Sequence, residues 1–262
     1  MITLIGHGYI GKNIAAEMCK QNLPHYWILH TDFIPKDTSA IINAAGYTGS
    51  PNVDACEMHK QETINGNVIW PVLLENSFPT TPIIHISTGC VYTGYQRHFT
   101  EDDPPNFDFN NGSFYSGSKA LAQKLLLPFM DKSYLLRVRM PFGDEEHPRN
   151  LLTKMKNYQK LVSYDNSLSY MPDVAKFAIA CAVGGIPKGI YNVCNPGFSN
   201  ALEIIGMMGI EKEFLTDEQF KQTTLAPRSN CILSTDKIQS VFPIQNIKTA
   251  LLKAITNLKY LP

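Results

Sequence analysis

The segment MITLIGHGYIGKNIAAEMCKQ, Met1 to Gln21, runs from a short apolar stretch through a cluster of glycines into apolar residues at helical spacing. That order spells strand, tight turn, helix. Within it GHGYIG, Gly6 to Gly11, has the spacing GxGxxG. Gly6 permits the turn, Gly8 lets backbone approach a pyrophosphate, and Gly11 lets the helix pack close to the strand, with Tyr9 and Ile10 between them. The first helical N–H groups have no intrahelical acceptors and suit phosphate oxygens. Asp32 follows Gly11 by about 20 residues, the place where an acid would bind a ribose 2′-hydroxyl. An ordinary surface turn and a surface acid would show the same letters.

Further apolar runs lie at Tyr26 to His30, Ala40 to Asn43, Ile83 to Ser87 and Tyr134 to Val138, with helical patterns at 57–76 and 115–130. Alternation of strand and helix implies parallel neighbours joined by crossovers, hence an α/β, Rossmann-type doubly wound parallel sheet. After Arg139 prolines and glycines break the pattern into short pieces. The expected division is a dinucleotide-binding core over 1–140, with segments of about 165–194 returning to it, and a smaller C-terminal substrate-binding lobe over 141–262. The 262 residues carry 23 basic and 23 acidic side chains, so no broad field favours nucleic acid or an anionic membrane. Six scattered cysteines lack metal-ligand spacing, no leader is legible, and no apolar run nears the ~18 residues of a membrane span. The reading is a cytoplasmic protein with reduced thiols, no metal and a small-molecule partner.

The stretch HISTGCVY, His85 to Tyr92, delivers two hydroxyls and a thiol where a buried strand ends. Downstream, FYSGSK places Tyr115 and Lys119 four residues apart, on one face of a helix. A cation there would pull a phenol down from its usual value of ~10 and make it a proton donor near neutrality. Thr88 could hydrogen-bond the same oxygen that Tyr115 protonates. A surface i,i+4 pair and a strand-end threonine are the plainer alternatives.

With the glycine turn, Thr88, Tyr115 and Lys119 resemble the short-chain dehydrogenase/reductase superfamily in its extended, nucleotide-sugar branch. The resemblance implies cofactor contacts from Asn43, Ala44, Ala45 and Gly46 and support from Asn67. The 4,6-dehydratases of that branch carry an Asp and a Glu after the hydroxyl, where this chain has Gly89 and Cys90, so dehydration is not expected. NAAGYTGSPNVDACE, STGCVY, GSFYSGSK, RVRMPFGDEEHPRNLLTK, NPG and APRSN instead resemble the plant-type bifunctional nucleotide-rhamnose synthase/epimerase-reductase, related to dTDP-4-dehydrorhamnose reductase.

That resemblance implies a 3,5-epimerase/4-reductase acting on a UDP- or dTDP-linked 4-keto-6-deoxy-D-glucose, with Cys90 and Lys154 exchanging protons at C3 and C5. Arg149, Asn150 and Arg228 are the expected substrate-binding residues, guanidinium forks matching phosphate oxygens; a cap or ion-pair role competes at Arg228. NADP(H) is the cofactor the resemblance favours. NAD(H) stays open, because Asp32 would repel a 2′-phosphate and only Lys12 or His30 stands where an arginine would grip one. A 4-reductase alone and a non-catalytic nucleotide-binding regulatory subunit remain as alternatives, as does a homodimer through the two helical segments.

Overall fold

The computed structural model describes residues 1–30 and 32–260. Six parallel strands form one sheet, in spatial order Gly189–Asn192, Tyr134–Val138, Ile83–Thr88, Ala40–Asn43, Ile2–Ile5 and His25–Ile28. Strand Ile2–Ile5 lies between the two strands that follow it in sequence, so the chain reverses direction across the sheet at this point. Such a switch opens a crevice at the carboxyl ends of its strands. Every residue of Ile2–Ile5, Ala40–Asn43 and Tyr134–Val138 is buried, as expected where helices cover both faces of a parallel sheet.

On one face, Ile14, Ala15 and Met18 of helix Tyr9–Lys20 join Val174, Ala175, Phe177 and Ala178 of helix Met171–Val183 in the main core. On the other, Leu74 packs with Ile5, Ile41 and Ile83. The helical pattern over 57–76 forms as a broken run: Ala55–Met58, Lys60–Ile64, a wide π turn at Asn65–Ile69, and Trp70–Ser77. Pro71 has no N–H for the carbonyl four residues back, and the widened turn, closed by Trp70 N–H on Asn65 O, absorbs that misfit. The pattern over 115–130 forms as helix Phe114–Leu126, capped by the Ser113 hydroxyl on Ser116 N, with a 3₁₀ turn after it.

A second apolar cluster, including Phe142, Leu152, Tyr170, Ile204 and Leu251, sits among helices Leu151–Asn157, Ala201–Met208 and Ile247–Asn257. Helix Met171–Val183 and strand Gly189–Asn192 belong instead to the main sheet and its core. No helix among the described residues is long and apolar enough to cross a membrane.

Beneath the sheet runs a buried polar chain. Glu75 Oε1 lies 3.0 Å from His85 Nε2, and Lys132 Nζ lies 2.5 Å from Glu75 Oε2 as an ion pair. His85 Nδ1 meets Asn43 Nδ2 at 3.3 Å. Burial pushes His85 below its usual value, while hydrogen bonds from His85, Lys132 and Ser133 hold the Glu75 carboxyl low against its own desolvation. A carboxyl held low in the folded state stabilises above its unfolded value, and that stabilisation is lost as pH falls through its titration. Glu75→Gln should therefore cost about 2 kcal/mol at pH 7 by urea denaturation, shrinking toward zero below about pH 4.

Candidate active site

The glycine turn has a geometry that leaves room for phosphate. Gly6 has φ +106°, and a Cβ there would lie 2.8 Å from the Ala44 carbonyl carbon. At Gly11 a Cβ would stand 2.0 Å from Gly6 O, so the helix touches the turn only because no side chain intervenes. At Gly8 a Cβ would meet nothing within 4 Å: this bareness faces open space. Gly8 begins helix Tyr9–Lys20, whose first N–H groups point into that space. Trp27 Nε1 donates to Gly6 O at 3.1 Å, and Asp32, exposed just beyond strand His25–Ile28, accepts from Leu29 N at 2.6 Å. Ile10 packs toward the core, so only its backbone serves the cradle. Tyr9 stacks on His147 at 4.7 Å, and its buried hydroxyl has no partner among the described residues. Burial, Asp144 and Glu145 raise that phenol above its usual value. These residues fit a dinucleotide.

Across the crevice, Asn43 Oδ1 accepts from Ala45 N and Trp70 Nε1, fixing the bend that leads through Ala44 and Ala45 to Gly46. The π turn presents Asn67, which bonds both Tyr47 N and Tyr47 O and donates to Ser118 Oγ at 3.1 Å. Asn67 thus ties the Gly46 segment to the helix bearing Lys119. A Cβ on Gly46 would lie 3.3 Å from Lys119 Nζ, so the ammonium rests against this segment, and burial brings it down to about 8.

Tyr115 sits one turn before Lys119, at the end of strand Ile83–Thr88. The Thr88 hydroxyl accepts from Cys90 N at 3.0 Å, and both Thr88 and Cys90 lie close enough to the phenol to act on it electrostatically. The expectation that a neighbouring cation lowers Tyr115 is overturned. Burial, then Cys90, raises it above its usual value, although Thr88 acts in the lowering direction. Desolvation of a phenolate outweighs these dipoles, so the protein keeps Tyr115 protonated, the form a proton donor needs.

A cavity of about 1030 Å³ opens beside this pair, lined by Cys90, Tyr115, Arg149, Lys154 and Arg228. Arg139 and Lys160 also line it, against a single carboxylate, Asp54, so the cavity favours an anionic ligand. Another part of its wall, from Tyr158, Leu161, Val162, Tyr164 and Phe220, is apolar and aromatic. Burial first, then Arg149 and Arg228, lowers the Lys154 amine. Arg149 donates to Gly49 O. Arg228 forms a two-pronged ion pair with Asp54, both contacts at 2.7 Å, the competing role foreseen for it. Asn150 lies outside the cavity wall: it is fully buried, caps helix Leu151–Asn157 through Leu152 N and donates to Gly143 O and Glu145 O. A Cβ at Gly89 would lie 2.6 Å from Leu233 Cδ1, so a dehydratase acid there has no room without movement.

Two site residues escaped the sequence reading. Asp54 gave no signal, because its partner lies 174 positions away. Arg139 read as the close of a strand, yet it is 1% exposed and donates to Cys90 Sγ at 3.1 Å.

Sheet order, glycine cradle and the Thr88, Tyr115, Lys119 cluster are those of the extended short-chain dehydrogenase/reductase class. Within that class the chain belongs to the RmlD substrate binding domain family, whose model matches residues 21–259. A bifunctional dTDP-4-dehydrorhamnose 3,5-epimerase/dTDP-4-dehydrorhamnose reductase of Arabidopsis thaliana is 37% identical over 83% of this chain and 76% of its own length. A trifunctional UDP-glucose 4,6-dehydratase/UDP-4-keto-6-deoxy-D-glucose 3,5-epimerase/UDP-4-keto-L-rhamnose-reductase of the same plant is 35% identical over 94% of this chain, which spans 39% of that protein. The crystal structure of a UDP-rhamnose synthase from Acanthamoeba polyphaga mimivirus superposes with a TM-score of 0.88 at 25% identity, covering 98% of this chain and 99% of the other.

Two glycine variants separate cradle from packing. Gly8→Ala should fold with wild-type stability yet weaken NADPH binding about tenfold in a fluorescence titration, the added methyl occupying phosphate space. Gly11→Ala should lower stability by about 1–3 kcal/mol, because helix and turn must separate.

Proposed function

We propose that this chain is an NAD(P)H-dependent reductase of a nucleoside-diphosphate-linked 4-keto-6-deoxy sugar that first epimerises C3 and C5, yielding the L-rhamnose nucleotide. One observation carries the reading: a proton-donating phenol and a thiol stand side by side on a cavity that also holds Lys154. The identities with the plant bifunctional and trifunctional enzymes support it.

The chemistry divides among these groups. Hydrogens at C3 and C5 are acidified by the C4 ketone, because either carbanion delocalises into an enolate. Inversion needs one group to take the proton and another to return one on the opposite face. Cys90 and Lys154 are assigned to those roles, with Lys154 made a readier acid by its burial. The reduced nicotinamide, when bound, supplies hydride to C4. Tyr115 then gives its proton to O4, held in line by the Thr88 hydroxyl. Lys119, resting on the Gly46 segment, orients the ribose and offsets the charge left on the phenol. The Gly6–Gly11 cradle, Asp32 and the Asn43–Gly46 bend hold the dinucleotide, and Arg149 and Arg228 face the substrate diphosphate. A reductase without epimerase activity would use the same Thr88, Tyr115 and Lys119; the thiol beside the phenol favours the bifunctional reading.

In deuterated water with a 4-keto-6-deoxyglucose nucleotide, Cys90→Ala should slow isotope entry at C3 and C5 about a hundredfold. Entry at the native rate would refute the epimerase assignment. Tyr115→Phe should lower hydride transfer at least about a hundredfold, read as NADPH oxidation; unchanged turnover would refute the reductase. Because Lys119 is charged only below its titration at about 8, kcat for reduction should decline as pH rises through that value, and Lys119→Arg should remove the break.

A further inference from the structure

Arg139 is a fully buried cation, and among the described residues no carboxylate lies within ion-pair distance of it. Burying a charge without an opposite partner costs several kcal/mol, so the guanidinium needs compensation from what surrounds it. Its Nη2 donates to Asn166 Oδ1 and to Ser229 O, the latter at 2.7 Å, and both acceptors are neutral. Its Nε is buried without a partner. Its Nη1 donates to a single acceptor, Cys90 Sγ, at 3.1 Å. A neutral thiol accepts hydrogen bonds weakly, so a charged N–H aimed at sulfur is well used only when that sulfur is anionic.

The titratable groups that act most on the guanidinium are Cys231, Cys90, Cys194 and Tyr95. Cys194 and Cys231 are completely buried, and burial raises both thiols, Cys194 to about 12. Cys90 alone of the three thiols lines the substrate cavity, next to Tyr115. We propose that Arg139 is the positioning residue that holds Cys90 as a thiolate facing the substrate, making Cys90 the group that removes protons and Lys154 the group that returns them. The assignment of direction rests on the epimerase reading.

The step balances. Cys90 sulfur takes the proton from C3 or C5, the C–H electron pair moves into the C4 ketone as an enolate, and the Lys154 ammonium protonates the opposite face. Thiol and amine then return to thiolate and ammonium by one proton transfer, through solvent, before the second centre reacts. Arg139 moves no proton itself; it fixes the sulfur and supplies the opposite charge.

The test is iodoacetamide labelling of the whole protein, read site by site by mass spectrometry across pH 5.5 to 9, with exposed Cys19 as internal standard. In the native protein, half-buried Cys90 should label faster than Cys19 at pH 6.5 despite its lower exposure. In Arg139→Gln the pH dependence of Cys90 labelling should move upward, its rate at pH 6.5 should fall about tenfold, and Arg139→Lys should restore part of it while Cys19 stays unchanged. Isotope entry at C3 and C5 should fall in proportion. Native Cys90 labelling no faster than Cys19, or a folded Arg139→Gln with native Cys90 kinetics, would overturn the proposal; the native comparison decides it even if the variants fail to fold. A reactive Cys90 without isotope exchange would remove the epimerase reading, and the catalytic direction with it, while leaving the Arg139–thiolate pairing standing.

Discussion

Gln123 sets the geometry on which the site depends. Its amide nitrogen donates to Ser87 Oγ at 3.1 Å and to Thr88 O at 3.0 Å, while its carbonyl oxygen accepts from Arg137 Nε at 3.1 Å. These bonds clamp helix Phe114–Leu126 to the ends of two neighbouring strands. Tyr115, Lys119 and Gln123 recur every four residues, so all three share one face of the helix. Once Gln123 is seated on Thr88, the phenol lies near the strand end that carries Thr88 and the ammonium reaches the Gly46 segment. A slip of one residue would rotate the stripe by about 100° and separate phenol from hydroxyl.

The same edge concentrates charged side chains that ordinarily stay in water. Arg137, Arg139 and Lys119 are all buried there, the first hydrogen-bonded to Thr100 O and Glu101 O and set over the Tyr92 ring. Among the described residues none of the three is ion-paired with a carboxylate. That arrangement puts buried positive charge beside the cavity, whose wall Arg139 joins. The Asp54–Arg228 pair ties the loop after strand Ala40–Asn43 to the 226–230 segment, closing one side of the cavity.

Much of this was legible in the sequence, for local reasons. The tight turn at Gly6, the bare backbone at Gly8 and the close helix contact at Gly11 follow from spacing, because such a turn is specified within six residues. The ends of strands Ala40–Asn43 and Ile83–Thr88 showed as apolar runs broken by polar letters, which placed Thr88 and Cys90 at the edge. What stayed hidden depends on contacts distant in sequence. Asn150 read as a ligand because it stands beside Arg149, but its position before a helix makes it a cap. The π turn at Asn65–Ile69 has only Pro71 as its mark. The proton affinity of Tyr115 was misjudged because the i,i+4 lysine is visible in sequence whereas the desolvation that outweighs it is not. Arg139 resembles any charged residue ending a strand until the fold buries it beside three thiols.

One cavity that both inverts and reduces the sugar ring, as proposed, leaves an isotopic signature in its product. The direct measurement is NMR of the product formed by the native protein from UDP-4-keto-6-deoxyglucose and NADPH in deuterated water. The product should have the β-L-rhamnose configuration, with deuterium at C3 and C5 and protium at C4. A 6-deoxy-D-sugar carrying protium at C3 and C5 would contradict it.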